Sequence, residues 1–442
     1  MEDTLSPFVA QLKEKFALLP DKRTGKNSFI QMKDVGLSAF SVFFTQSSSF
    51  LEHQRAMESR QGKNNAQSLF GIDHIPTDNH IRSLLDEVPA SELFPLFSSF
   101  LSRLDEQHLS EFRQVNGNLL IALDGLHYYH SKKISCSNCS QQKHRKDGSI
   151  SYMHSLVSAT LVHPNKRHVL PLMPSFVEPQ DGHEKQDCER EAAKRWMHAV
   201  GAQYAKLKTS LLGDDLYCCE PICRLALEKG FHFIFNCKPE SHTTLYEWVN
   251  SLEKSQGLSK LERIVGKQTG KQVWKCRYVN GVPLKSGKDA LLVNWCELEV
   301  LNGEGKRVYF NTFATDHDIT DANVMEIVQA GRARWKTENE HNNNLKNSGY
   351  HLTHNYGHGK KHLSQTLATL ILLSFLLHTV LHLIDQQYIA LRNYFPREQF
   401  FQQLRSLLIY LHFTSWGSLM TLMSEGSKPV PRRRKRKGKG SG

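Results

Sequence analysis

The sequence predicts an α/β protein in which a helical N-terminal domain precedes a mixed sheet flanked by helices. Apolar residues recur at helical spacing in the first 112 residues, as in 36–44 and in the capped stretch 76–86. From 113 to 258, short apolar runs of strand length alternate with helical stretches. Residues 259–315 alternate apolar and polar side chains between Asn-Gly turns, which predicts a β-rich insertion before helices resume over 316–426.

Two apolar runs of this central region end in aspartate. Strands are predicted over 119–124, 152–162 and 169–177, followed by a helix from Glu184 to Leu207 and a strand that ends at Asp214 and Asp215. A near-continuous apolar run indicates a strand buried on both faces. We therefore expect the carboxylates of Asp124 and of Asp214 or Asp215 to emerge where their strands end.

A third carboxylate lies among basic residues in the segment 332–346, within a helix predicted to run from about Thr320 to Lys346. At 100° per residue, Arg334 and Glu338 share a face, whereas Glu340 points to roughly the opposite side. Glu338 is therefore the better candidate for a site facing the sheet.

Two strand-end aspartates and one helical glutamate form a donor set for divalent cations. Such carboxylates can hold two ions about 4 Å apart, which activate a nucleophilic oxygen and stabilise the leaving oxygen of a phosphodiester. Hard oxygen ligands suit Mg²⁺ or Mn²⁺. The pattern predicts metal-dependent cleavage of nucleic acid.

Together these residues resemble the DDE transposases of bacterial insertion sequences, the subgroup whose RNase H-like core is interrupted by a β-rich insertion. In that family the third acid is the glutamate of a helical motif. The motif reads Tyr, two residues, Arg, three residues, Glu, six residues, Lys. Arg334 and Glu338 match this spacing, but Gly331 occupies the tyrosine position and Lys346 falls one residue late. In that family the second catalytic aspartate is followed, after two residues, by an aromatic residue. Asp214 matches this pattern, so Asp215 is its neighbour and not the ligand. The resemblance extends over residues 124–362.

The resemblance implies a transposase that binds the terminal inverted repeats of double-stranded DNA as a homodimer and transfers a 3′-hydroxyl to target DNA. Asp124, Asp214 and Glu338 would hold two Mg²⁺ or Mn²⁺ ions, with Arg334 and Lys346 on phosphates. Residues 1–112 would bind DNA ends, and 113–258 with 316–426 would form the core. The expected location is the bacterial cytoplasm, at the nucleoid. Rival hypotheses are a metal-dependent nuclease without strand transfer and a domesticated, non-catalytic DNA-binding protein.

The charge distribution favours an acidic polymer as partner. The net charge is +12, and eight lysines and arginines lie between 428 and 442, so the rest of the chain carries 12 − 8 = +4. We expect the tail 427–442 to be disordered and to act either as a salt-sensitive phosphate binder or as a solubilising end. The N-terminal helix 75–85, with His80 and Arg82, is predicted either to enter a major groove or to serve as a packing element.

Nine unevenly spaced cysteines without a signal peptide indicate a reducing compartment. Cys136 and Cys139, with His144 and His154 downstream, can form a structural Zn²⁺ site in the loop 134–154. His127 or His130 can replace one histidine, and ordinary thiols in a hairpin loop are the alternative.

Three further features have two interpretations each. The apolar stretch 367–384 contains serine, threonine and histidine, which favours a buried helix over a membrane span. Trp274 and Trp295 either stack on a displaced base or belong to the core. Lys360 and Lys361 either contact a phosphate backbone or lie in an ordinary structured loop.

Overall fold

The computed structural model describes residues 3–25, 29–179, 188–266 and 271–426. The basic tail 427–442 and the predicted helix start at Glu184 lie outside the described residues.

The described residues up to 112 are mostly helical, as predicted. On the first helix Phe8, Leu12 and Phe16 recur every fourth residue and are buried along one face. The predicted cap of the 76–86 helix is confirmed, because the Thr77 side chain accepts a hydrogen bond from the backbone of His80. The helices are α1 (Ser6–Ala17), α2 (Met32–Phe44), α3 (Phe50–Glu58), α4 (Arg60–Phe70), α5 (Asp78–Leu85), α6 (Pro95–Leu101) and α7 (Glu106–Ser110).

The described strands form one mixed sheet of 12 strands. They are β1 (Arg113–Gln114), β2 (Asn118–Ser131), β3 (Ser140–Lys143), β4 (Ile150–Val162), β5 (Leu170–Pro171), β6 (Ser175–Val177), β7 (Thr209–Gly213), β8 (His232–Asn236), β9 (Ser259–Val265), β10 (Gln272–Pro283), β11 (Leu292–Leu301) and β12 (Arg307–Thr315). The main order is β3-β4-β2-β7-β8-β12-β11-β10-β9, with β1 beside β2 and with β5 and β6 beside β4. β7 runs parallel to both β2 and β8, and the other pairs are antiparallel.

The segment predicted to be β-rich supplies β9 to β12. These strands continue the same sheet, because β12 pairs with β8 from Phe313–Asn236 to Thr315–Ile234. Trp295 is fully buried and Trp274 nearly so. Both tryptophans therefore belong to the core, the second of the two interpretations.

The remaining helices flank the sheet or pack on the N-terminal helices. They are α8 (Glu189–Ala205), α9 (Glu220–Glu228), α10 (Thr243–Lys254), α11 (Val324–Arg332), α12 (Asn343–Asn347), α13 (Leu363–Ile384), α14 (Gln386–Tyr394), α15 (Arg397–Tyr410) and α16 (Trp416–Gly426).

The prediction of one α-helix from Thr320 to Lys346 is wrong. α11 ends at Arg332, a π-helical turn covers Thr337–Asn342, and α12 follows. A π-helical turn adds a residue to the repeat and so rotates the side chains that follow it. The face expected from 100° per residue is therefore changed beyond Thr337.

The long apolar helix is α13, which is buried inside the protein. It is the one described helix long and apolar enough to cross a membrane, but 83% of its most apolar 18-residue window is buried. It packs against α2, α5 and α6 on one side and lies beside β5 and α14 on another. The prediction of a buried helix is confirmed.

Gly331, which replaces the tyrosine of the resembled family, lies where α11 crosses β12. A Cβ atom at this position would lie 2.6 Å from the Phe313 ring, and that ring is itself fully buried. The close approach of helix and sheet therefore requires glycine here.

Gly331→Ala is expected to lower the free energy of unfolding by about 1–3 kcal/mol, because the Phe313 ring has little room to move. Gly417→Ala, in α16, is the control. A Cβ atom added at this position would lie no closer than 3.9 Å to a neighbouring heavy atom. Alanine should therefore raise the free energy of unfolding there by up to about 1 kcal/mol. Urea denaturation measures both. A Gly331→Ala protein as stable as the wild type would contradict the packing argument.

Candidate active site

Asp124 and Asp214 lie beside each other at one edge of the parallel strand pair. β2 and β7 pair in parallel from Leu119–Thr209 to Ala122–Leu212. Asp124 and Asp214 each lie two residues beyond the last pair, on adjacent strands spaced about 5 Å apart. Asp214 follows the end of β7 as predicted, but β2 continues to Ser131. Asp124 is thus within a long strand, at the point where its parallel partner ends.

The π-helical turn lies over Asp124. The Asn342 side-chain amide donates to Oδ2 of Asp124 at 2.9 Å, and a guanidinium nitrogen of Arg334 lies 3.4 Å from Oδ1. Burial lowers the pKa of His341 to about 4, so this imidazole is neutral at pH 7. Its Nδ1 lies 3.0 Å from the Asn342 side-chain oxygen and 3.1 Å from the Ser158 hydroxyl. His341 therefore orients Asn342 toward the carboxylate.

Glu338 is exposed on this turn and contributes negative charge to the site. The pKa of Asp124 is raised to about 6, mainly by burial and also by the neighbouring carboxylates, Glu338 among them, whereas the positive charge of Arg334 lowers it. Glu340 lies elsewhere, 4.0 Å from Arg167. Of the two glutamates, Glu338 is the one that interacts with Asp124.

The adjacent aspartates have different surroundings. Oδ1 of Asp214 accepts the backbone N–H of Leu216 at 2.9 Å. Asp215 instead accepts the backbone N–H of Lys238 at 2.6 Å and the hydroxyl of Ser241 at 2.5 Å. Asp215 therefore ties its loop to the end of β8, and Asp214 is the aspartate that acts electrostatically on Asp124.

Glu189, the first residue of α8, is a fourth carboxylate that the sequence analysis missed. Its charge also acts on Asp124 and raises the pKa of that group. The Tyr217 hydroxyl donates to Oε1 of Glu189 at 2.7 Å. A Cβ on Gly125 would lie 2.1 Å from Oε2 of Glu189, so glycine makes room for this side chain. The only signal in the sequence was an acid at a helix start, a position that the helix dipole favours for any acidic residue.

Two other predicted positions lie outside this cluster. Lys346 is on α12 and, within the described chain, forms no ion pair with these carboxylates. His144 is absent from the cysteine cluster, because its Nε2 is hydrogen-bonded to Ser151 at 2.8 Å. Cys136, Cys139 and His154 do come together, and His358, unforeseen from the sequence, is the fourth member.

The carboxylate site has the chemistry of a divalent-cation site. All its anionic donors are oxygens, which Mg²⁺ and Mn²⁺ prefer. Repulsion between carboxylates raises the pKa of Asp124, and a bound cation would relieve that repulsion. Asp124, Asp214 and Glu338 are the candidate ligands, with Glu189 beside them, although they are not among the described groups whose ligand atoms all lie within 4.8 Å of one another. An arrangement of this kind can bind phosphate oxygens and activate water.

Asp124→Asn is expected to stabilise the metal-free protein at pH 7 by roughly 1–3 kcal/mol, from about 1.36 kcal/mol for each pKa unit. The folded-state pKa lies above its value in the unfolded chain, so the charged carboxylate disfavours folding once the pH exceeds both. Thermal unfolding in EDTA measures the gain, and added Mg²⁺ should raise the Tm of the wild type but not that of Asp124→Asn. Asp215→Asn is the matched control and should be destabilising, because Asp215 holds two hydrogen bonds. A loss of stability in Asp124→Asn would contradict the account.

The geometry of the site is the basis for proposing a function, because no protein-family model and no curated protein matches the chain.

Proposed function

We propose that the protein is a DDE-type DNA transposase that cleaves the ends of an insertion sequence and joins them to target DNA. The observation that carries this proposal is the juxtaposition of Asp124 and Asp214 at one edge of a parallel strand pair. Arg334 and the π-helical turn that bears Glu338 act on Asp124. The three acids would hold two Mg²⁺ or Mn²⁺ ions, which supply an activated nucleophilic oxygen when bound.

The order of elements supports an RNase H-like core. Antiparallel β2 and β4, extended by β5 and β6, precede α8, and the parallel strands β7 and β8 follow with α9 between them. On this proposal, β9 to β12 are the insertion that separates the second acid from the third. Of these strands, β12 pairs with β8, so the insertion continues the sheet of the first half of the core.

Residues around the acids would orient the DNA strand. Arg334 lies against Asp124, where its positive charge can attract a phosphate oxygen. Asn342 fixes the Asp124 carboxylate, and His341 fixes Asn342. Lys346 has no comparable position, and we assign it no role in the chemistry.

A basic cleft beside the π-helical turn supports DNA as the substrate. It encloses about 840 Å³, and Glu340 and Asn344 line it from the Glu338 segment. Arg392, Arg397 and Arg405 also line it. Their hydrogen bonds run to neutral acceptors: the Phe395 carbonyl, the Tyr350 hydroxyl, and the carbonyls of Thr45 and Gln46. Among the described residues none of the three donates a hydrogen bond to a carboxylate, although Glu52 and Glu398 line the same cleft and offset part of its positive charge. On this proposal the three arginines would contact a phosphate backbone.

Cleavage of end-labelled duplex DNA containing the sequences that flank the gene tests the chemistry. With Mg²⁺ or Mn²⁺, the wild type should expose a 3′-hydroxyl and join it to a second duplex. Asp124→Asn, Asp214→Asn and Glu338→Gln should each reduce cleavage by more than about 100-fold, because several kcal/mol of charge stabilisation is lost.

Asp215→Asn and Glu340→Gln are the matched controls and should keep cleaving. Cleavage without joining would favour the metal-dependent nuclease, and tight DNA binding without metal-dependent cleavage would favour the non-catalytic DNA-binding protein. Either result would refute the transposase proposal.

Arg167 offers a test of the cleft as a DNA surface. Its side chain is 89% exposed, and its 4.0 Å contact with Glu340 is too loose to neutralise it. Arg167→Ala should weaken DNA binding and lower the slope of log affinity against log salt by about one. Arg167→Lys keeps the charge and should keep the slope. Fluorescence anisotropy at several salt concentrations measures both, and an unchanged slope in Arg167→Ala would exclude this side of the cleft.

A further inference from the structure

A second site with different chemistry lies at the far end of β2. Cys136 and Cys139 precede β3, His154 is on β4, and His358 lies between α12 and α13. The two Sγ atoms are 3.8 Å apart. Nε2 of His154 lies 3.4 Å from Sγ of Cys136 and 3.5 Å from Sγ of Cys139. Nε2 of His358 is 3.5 Å from Sγ of Cys139.

These distances match the edges of a zinc-centred tetrahedron. Bonds of about 2.3 Å to sulfur and about 2.05 Å to nitrogen give edges of about 3.8 Å between sulfurs and about 3.6 Å between sulfur and nitrogen. A disulfide would require sulfurs about 2.05 Å apart. The ligand atoms therefore surround a space of the size of one ion, and neither cysteine is oxidised.

We propose that Cys136, Cys139, His154 and His358 bind one structural Zn²⁺. Four protein ligands of two thiolates and two imidazoles close the coordination shell, which is the arrangement of structural sites. Thiolates are poor ligands for Mg²⁺, so this site cannot substitute for the carboxylate cluster. The proposal does not depend on the transposase assignment.

The other groups of potential ligands in the described residues offer three donors each, one fewer than a closed structural zinc site requires. His242 in the group with Cys218 and Cys237 lies 3.3 Å from Asp215. His317 in the group with His232 and Asp316 is hydrogen-bonded to Ser210 at 2.9 Å. The proposed stoichiometry is therefore one zinc ion per chain.

The zinc would join parts of the chain that are far apart in sequence. Cys139 and His358 are separated by 219 positions. Beside the site, the Ser137 hydroxyl donates to the Lys360 carbonyl at 3.5 Å. The Asp86 carboxylate, at the end of α5, accepts the backbone N–H groups of Lys360, Lys361 and Leu363.

This junction fixes the segment that follows Glu338. Arg82 adds a hydrogen bond to the Tyr356 carbonyl at 2.8 Å, so the N-terminal helices, the β2–β3 loop and residues 350–362 all meet at the zinc. Strand β2 carries Asp124 near its middle and the zinc loop at its end. The ion therefore acts as a positioning element: it would hold the segment that follows the Glu338 turn against the strand that bears Asp124.

Metal analysis of the full-length chain, purified without a metal-affinity tag, tests the proposal. Mass spectrometry should find about one zinc per chain, as for a structural site of this type. Cys139→Ser and His358→Ala should lose the metal. His358→Cys should retain it, because Cys₃His sites also bind zinc. His144→Ala and Cys237→Ser are the matched controls and should remain loaded.

Cobalt substitution keeps the test informative if a variant folds poorly. Co²⁺ in the wild type should give the visible absorption of a tetrahedral thiolate site, and His358→Cys should shift that absorption through its third sulfur. Wild-type protein without zinc, zinc retained in Cys139→Ser, or zinc lost in Cys237→Ser would each overturn the proposal.

Discussion

The parallel pairing of β2 with β7 is the constraint on which the candidate site depends. Because Ala122 pairs with Leu212, Asp124 and Asp214 emerge side by side at one edge of the sheet. A shift of one residue in this register would turn one carboxylate to the opposite face. The strands are buried over the paired residues, so the apolar core fixes the register and thereby the spacing of the acids.

The third acid depends on tertiary contacts rather than on one regular helix. Gly331 lets α11 approach the Phe313 ring of β12 closely. Beyond α11 the chain forms the π-helical turn. This turn lets Arg334 and Asn342 reach the same carboxylate from positions eight residues apart. A straight α-helix would place these side chains about 80° apart around its axis. In the structure both groups reach Asp124, and Glu338 on the π-helical turn is exposed.

Two donor sets of different chemistry lie along β2 and the loop that follows it. The carboxylates near its middle suit hard cations, and the thiolates and imidazoles at its end suit zinc. Their separation along one strand keeps a soft metal away from the oxygen donors. The buried helix α13 begins directly after the segment that carries His358, so the same junction connects the sheet to the helical part of the core.

Local sequence patterns determined much of this protein. Helical spacing predicted the N-terminal helices, alternation predicted the strands of 259–315, and polar residues within an apolar stretch predicted a buried α13. The short spacing of Cys136 and Cys139, and apolar runs ending at Asp124 and Asp214, indicated candidate ligands. Each of these features depends on residues close together in the chain, where periodicity and residue type carry the information.

The remaining members of the two candidate sites were decided by the tertiary structure alone. His358 replaces His144 because packing brings residues 219 positions apart into contact, which no local spacing can indicate. Glu189 joins the acids because α8 begins beside Gly125, where a larger residue would exclude it. Asn342, at the end of the π-helical turn, likewise donates a hydrogen bond to Asp124 from 218 positions away. Contacts of this kind are set by how elements pack, and a single sequence does not encode that packing in any local pattern.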